Sequence, residues 1–298
     1  MTMRAFAFVW LFALLAAPAA ADDSAWYVTI AVHVDEAGGK PVELHVAVPA
    51  DDPRQTISEI EVKARGLTSD VIDGAEPEVV FRGRVEDSKR VAVSFRVDRV
   101  PWSTALPPID PVVDPPREAL EALRPASLYP ARSILVREFL EENVAPRLAG
   151  EDVDVLRAIY DVIREELPYD RKGKSLPLDV LRRGHGLRIG RERVFTACLR
   201  SAGIPARFVE GIALSSSTKR KRRFWNEVWA EGTWHPVSLS GGWRGKIPSD
   251  YVAVAADGRR VVRSLGAGVF TYHVVVRPAP PRSAQATPSP AAAAAPMP

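Results

Sequence analysis

Between residues 26 and 100, apolar and polar positions alternate with a period of two. The runs WYVTIAVHV (26–34), VELHVAV (42–48), IEVKA (60–64) and VAVSFRV (91–97) each put alternate side chains on one face. That alternation predicts strands with one face on a core and the other in water. Gly38-Gly39 and Asp73-Gly74 supply turns between them. The expected unit is a small antiparallel β-sandwich over residues 22–100. Residues 101–116 then carry six prolines in sixteen positions, which stops helices and central strands and predicts a linker or extended strap.

From Arg117 the period becomes helical. Ile134, Leu135, Phe139 and Leu140 lie close to one helical face, and Val153, Leu156, Ile159, Tyr160 and Ile163 keep i, i+3, i+4 spacing up to Pro168. A third helix is predicted over about residues 191–202, followed by strands at 206–214, 224–230, 233–237 and 270–276. The fold class is therefore α+β, with a core over residues 117–276.

Both ends of the chain differ from this pattern. Arg4 precedes an apolar stretch over residues 5–17, and Ala19-Ala20-Ala21 forms an A-x-A site before Asp22. This is the layout of a signal peptide over residues 1–21, and the stretch is shorter than the ~20 residues that a membrane span needs. The expectation is cleavage, a periplasmic or secreted protein, and no transmembrane segment afterwards. Residues 277–298 are rich in proline and alanine, have little to bury, and are expected to form a disordered or extended tail.

Composition adds less. The 298 residues are 46% apolar and 26% charged, as in globular proteins, and the length suits two domains. Cys198 is the single cysteine, so neither an internal disulfide nor a thiolate cluster can form. No His/Asp/Glu spacing suggests a metal, and no cofactor is expected. Net charge is +3, but it is unevenly spread. Residues 22–100 hold 16 acids and 10 bases (net −6), whereas residues 171–223 hold 15 Lys and Arg against Asp179, Glu192 and Glu210 (net +12).

Three strings in order resemble the transglutaminase-like superfamily, whose core is papain-like. They are RAIYDVIREELPYD (157–170), LRRGHGLRIGRERVFTACLRSAGIPARFVEG (181–211) and FWNEVWAEGTWHPVS (224–238). The second resembles the family's Gly-x-Gly-x-Cys, helix and Gly-Ile-Pro-Ala-Arg series. The third resembles its His-Ala-Trp-x-Glu-Val strand, Gly-x-Trp turn and Val-Asp strand end. The β-rich first part is similar to the sandwich that precedes this core in many bacterial members. Laid on the family pattern, the nucleophilic cysteine's place holds Arg188, the histidine's Arg223 and the acid's Ser238. The resemblance thus implies the fold without the catalytic triad, because a guanidinium stays protonated and is neither nucleophile nor base.

What remains is a module for binding or scaffolding. Arg188, Arg191, Lys219, Arg220, Lys221, Arg222 and Arg223 are the candidate ligands for an anion: an envelope polymer, a lipid headgroup or an acidic protein partner. The alternative that docks the acidic sandwich on the basic core neutralises both charges within the molecule. Nucleic acid is not expected, since the leader directs the chain out of the cytoplasm and no stacking platform interleaves the basic run. The competing reading is a cysteine peptidase or amidase of the same fold with a relocated nucleophile, Cys198. A third is a subunit that pairs with an active homologue. Cys198 sits among Val194, Phe195 and Leu199 and is expected to be a small core residue. His185 and His235 lie in the motif frames. His235 and Ser238, three apart, are expected on opposite sides of a strand. His33, His45 and His273 are expected as ordinary strand histidines.

Overall fold

The computed structural model describes residues 24–35, 37–100, 102–109, 116–149, 154–215, 221–266 and 268–280. The expected signal peptide, Lys219, Arg220, most of the expected tail and part of the proline-rich segment lie outside the described residues.

The first half consists of strands β1 (Ser24–Val34), β2 (Pro41–Ala47), β3 (Gln55–Lys63), β4 (Thr68–Ile72), β5 (Glu78–Arg84), β6 (Lys89–Arg99) and the short β7 (Trp102–Ser103). Helices α1 (Arg117–Glu121), α2 (Ile134–Phe139), α3 (Ala145–Leu148) and α4 (Val155–Glu166) follow, then β8 (Tyr169–Lys174), α5 (Pro177–Arg183) and α6 (Arg188–Ser201). The chain continues through β9 (Ala206–Ala213), β10 (Arg222–Ala230), β11 (Thr233–Ser238), β12 (Trp243–Arg244) and β13 (Lys246–Ile247). It closes with β14 (Tyr251–Ala256), β15 (Val262–Gly266) and β16 (Phe270–Pro278).

The expected alternation holds in the sandwich. Val28, Ile30, Val32 and Val34 of β1 turn inward and share one core with Val42, Leu44 and Val46 of β2. Two strands break the alternation and were not expected. In β5, Val79, Val80 and Phe81 are all buried, because β5 lies between β2 and β4 in its sheet and Val80 is flanked by His45 and Asp70 in register. β4 is exposed throughout and lies at a sheet edge.

The sandwich also recruits the far end of the chain. Its sheets run β16-β1-β6-β3 and β15-β2-β5-β4, with β16 antiparallel to β1 and β15 antiparallel to β2. A period of two tells which face of a strand is buried, but not which neighbour it takes. The sequence therefore predicted a strand at 270–276 without its sheet. β16 continues through Arg277 and Pro278, so the first residues assigned to the tail are part of a strand.

In the helical part, Asp154 caps α4 by accepting the Arg157 N–H at 2.7 Å. The helix buries Leu156, Ile159, Tyr160 and Ile163, as its spacing predicts. The earlier pattern fails: Ile134 is exposed, and Val136 and Val144 are the buried residues. A π-helical turn at Leu140–Val144 follows α2, and its wider winding moves the apolar stripe off an i, i+3, i+4 template. Helix α6 begins three residues before the expected start, at Arg188 rather than Arg191, and buries Val194, Phe195, Cys198 and Leu199. It packs against α4, α5 and the sheet β12-β11-β10-β9-β14.

The apolar interior of the sandwich extends onto the core sheet, while α4 and α6 enclose a separate cluster. Ile212, Leu214, Val252 and Val254 from the core sheet belong to the sandwich's cluster. A buried ion group ties them further. Glu227 of β10 is fully buried and accepts from Arg54 Nη1 at 2.5 Å, Arg207 Nη2 at 2.6 Å and Trp225 Nε1 at 3.2 Å. Arg54 is anchored to Asp52 at 2.6 Å. The two guanidiniums outweigh burial and hold the Glu227 carboxyl low, at about 2.

Arg54→Ala would strand Glu227 with half its countercharge. Removing one partner of a buried pair costs about 3–5 kcal/mol, measurable by urea unfolding, with exposed Arg65→Ala as a control that changes little. A lowered carboxyl pKa adds stability above its unfolded value of 4.5, lost as pH falls towards 2. The wild type should therefore lose stability across that window, and Glu227→Gln should lose less of its remaining stability there.

Candidate functional site

Three of the candidate positions, Arg188, Arg223 and Ser238, meet at one place. Arg188 is the first residue of α6, Arg223 lies at the start of β10 and Ser238 at the end of β11. All three line a cavity of about 300 Å³, together with Glu192, Trp243 and Tyr251. Local rules explain the placement. Gly184 ends α5 in a left-handed conformation at φ 68°, which turns the chain towards the start of α6. Gly211 of β9 lies opposite Arg223 in register, and a Cβ there would approach the Trp225 ring to 2.3 Å, so only glycine lets the indole seat beneath β10.

The two arginines do not neutralise each other, and each is held by an aromatic ring. The Arg188 guanidinium lies 5.2 Å from the Tyr169 ring centroid. The Arg223 guanidinium lies 5.3 Å from the Tyr251 ring, and its Nε donates to the Tyr251 hydroxyl at 2.9 Å. Such stacking suits a planar cation. Arg222 donates to Glu210 at 2.6 Å. Lys221 donates to the Ser215 carbonyl and lines an adjoining cavity of about 660 Å³ that shares Arg188, Ile189, Arg222 and Phe224 with the first. Arg188 is exposed and has no carboxylate partner among the described residues.

Arg191 departs from the candidate set. It is buried, donates from Nη2 to the Ile163 carbonyl at 3.3 Å and lines neither cavity. It serves to join α6 to α4, because that side of α6 faces the helix rather than the groove.

The centre of the site is a residue that charge counting alone made unremarkable. Glu192, one turn beyond Arg188, is fully buried and receives four donors. Ser238 Oγ donates at 3.0 Å, Asn226 Nδ2 at 2.7 Å, the Ser240 N–H at 2.9 Å and the Leu239 N–H at 3.4 Å. Ser238 Oγ accepts from the Gly241 N–H at 2.9 Å, and Asn226 Oδ1 accepts from Thr196. Burial pushes the Glu192 carboxyl above its ordinary value, against the pull of these donors. The serine hydroxyl is therefore engaged with a carboxylate and a backbone amide, with no imidazole to take its proton. The i, i+4 spacing of Arg188 and Glu192 was a usable signal that they share a helix face. The burial of Glu192 was not legible.

The other candidates lie elsewhere. Cys198 is fully buried, and desolvation pushes its thiol pKa up, so the core role expected for it is what is found. His235 is buried with Nε2 3.2 Å from the Ala230 carbonyl, away from Ser238, whose oxygen points to Glu192. His185 contacts Asp170 at 3.0 Å. Among the described residues no cluster of three or more His, Cys, Asp or Glu could hold a metal, and no helix is long and apolar enough to cross a membrane.

This geometry agrees with what the chain is similar to. Residues 142–239 match the profile of the Transglutaminase-like superfamily. A crystal structure of a protein from Cytophaga hutchinsonii, described only as a candidate cysteine protease, aligns with a TM-score of 0.66 at 15% identity. That alignment covers 86% of this chain and 91% of the other, and at this identity it shows a shared α+β fold. The periplasmic domain of TgpA from Pseudomonas aeruginosa aligns at 17% identity over 74% of this chain and 90% of that one, with a TM-score of 0.32, too weak a likeness to argue from. No curated protein matches the chain.

Glu192→Ala would strand Asn226, Ser238 and the Ser240 amide. Each buried donor left unpaired costs about 1–3 kcal/mol, so unfolding free energy should fall by at least about 3 kcal/mol on the same reasoning. In a separate measurement, iodoacetamide should fail to label Cys198 in the native protein and label it fully in 8 M urea (a routine denaturing condition). Native labelling at the rate of a free thiol would contradict the burial.

Proposed function

We propose that this chain is an exported, non-catalytic transglutaminase-like module that binds anionic groups in the groove where the family places its triad. The carrying observation is Arg188. It stands exposed at the first turn of a fourteen-residue helix, without a carboxylate partner among the described residues, where acyl-transfer chemistry needs a nucleophile. A guanidinium cannot attack a carbonyl or accept a proton. In a well-studied protease, loss of the triad costs about six orders of magnitude in rate. The same position suits an anion: a helix start favours negative charge, and the planar fork binds carboxylate or phosphate in bidentate fashion.

The ligand class is a carboxylate- or phosphate-bearing group, as on an envelope polymer, a lipid headgroup or an acidic protein. The leader layout at residues 1–21 supports a periplasmic or secreted site of action. A relocated cysteine nucleophile has little support, because a desolvated thiol forms little thiolate and Cys198 is fully buried.

Titration calorimetry with an acidic peptide, peptidoglycan fragments and phosphatidylglycerol vesicles tests the reading. Binding of at least one probe should weaken at least tenfold in the Arg188→Glu/Arg223→Glu protein. Equal binding by the two proteins would refute the anion site. Release of ammonia from a glutaminyl peptide above background would refute the absence of catalysis.

A further inference from the structure

The larger cavity has a wall that the triad comparison does not use. It is lined by Tyr272, His273 and Val274 of β16, opposite Leu187, Ile189 and Phe224. Successive strand residues point to opposite faces, so a cavity lined by three in a row lies along the strand's edge. Among the described residues β16 is the terminal strand of its sheet and pairs only with β1.

The ladder phase shows which backbone groups are open. The Ala279 N–H donates to the Ala25 carbonyl, and the Asp35 N–H donates to the Val269 carbonyl, both at 2.9 Å. In the β1–β16 register these are the pairs 25↔279 and 35↔269, so the bonded pairs fall at odd residues of both strands. Antiparallel ladders alternate bonded and non-bonded pairs. The N–H and C=O groups of Tyr272 and Val274 therefore point away from β1, along the edge that lines the cavity. Among the described residues none of these groups has a partner.

We infer that β16 accepts an extended acidic peptide as an added strand, with its carboxylate read by Arg188. This inference rests on the anion reading above and narrows the ligand to a peptide. Main-chain bonds to Tyr272 and Val274 supply affinity, as in other strand-addition complexes. The apolar side chains of Leu187, Ile189 and Phe224 take residues that flank the acid. Charge complementarity selects the occupant: Arg188 and Lys221 line the groove, while Arg222 is committed to Glu210. A volume of about 660 Å³ is within the range of small-ligand sites, about 300–1,000 Å³.

The probe is a fluorescein-labelled, end-capped peptide Thr-Val-Glu-Val-Thr, read by fluorescence polarisation against the whole mature chain. Three comparisons use the unaltered protein: the same peptide with alternate backbone N-methylation, the peptide with Gln for Glu, and phosphatidylglycerol vesicles as competitor. Strand addition predicts at least tenfold weaker binding for the N-methylated peptide and shifted amide signals at Tyr272 and Val274 in ¹⁵N spectra. Val274→Pro should weaken binding likewise, since its N–H faces outward and edge strands tolerate proline. Equal binding of the methylated peptide, no peptide binding at all, or binding to vesicles alone would overturn the inference. Equal binding of the Gln and Glu peptides, with the backbone dependence kept, would refute the anion reading while leaving the strand site standing.

Discussion

The structure depends on a carboxylate that water never reaches. Glu227 sits between Arg54 of the sandwich and Arg207 of the core sheet, and this group fixes how the two parts meet. An unpaired carboxylate at that depth would be prohibitively costly, and two guanidiniums with good geometry make it tolerable. The consequence passes along β10. Counting back from Glu227, Asn226 bonds Glu192, Trp225 lies against Gly211, and Arg223 and Phe224 line the groove. One strand thus carries both the lock between the layers and two positions of the site. Arg99 adds a second buried cation at the same junction, with Nη1 on the Arg54 carbonyl at 2.7 Å and burial lowering its pKa to about 10.

Much of this was legible because local chemistry and the global fold agree. Alternating valines in β1 and β6 fixed strands and their inner faces. The spacing of Leu156, Ile159, Tyr160 and Ile163 fixed α4. The ordered strings at 181–211 and 224–238 placed Arg188, Arg223 and Ser238 in a common frame, and the structure brings them to one cavity. What escaped depends on the third dimension. A fully buried run such as Val79-Val80-Phe81 has no period, and the π turn after α2 displaces the stripe. Nothing in ERVF or NEVW states that Glu192 and Glu227 are interior, because a buried carboxylate is recognised by its partners, and these include Asn226, 34 positions from Glu192, and Arg54, 173 positions from Glu227.

The site also gathers positive charge without collapsing the fold. A cation at the start of α6 opposes the helix dipole, and a second at Arg223 faces the same cavity. The molecule absorbs this in three ways. Each guanidinium stacks on its own tyrosine, Arg222 is neutralised by Glu210, and Arg188 stays hydrated at the surface. Ser238 is bound into the Glu192 network. The acids of the sandwich pair away from the groove, Asp52 with Arg54 and Glu78 with Arg259 and Arg263, and Arg188 faces solvent.

Arg188 and Arg223 line one cavity, and the proposed function puts them in the seats of a nucleophile and its base. Introducing Arg188→Cys with Arg223→His, and following alkylation rate against pH, tests that geometry directly. The thiol pKa should fall below the ordinary value of about 8.5 when both substitutions are present and less so with Arg188→Cys alone, because a helix start and a nearby imidazolium favour thiolate. A pKa at or above that ordinary value, unchanged by the histidine, would mean that the two positions do not face each other.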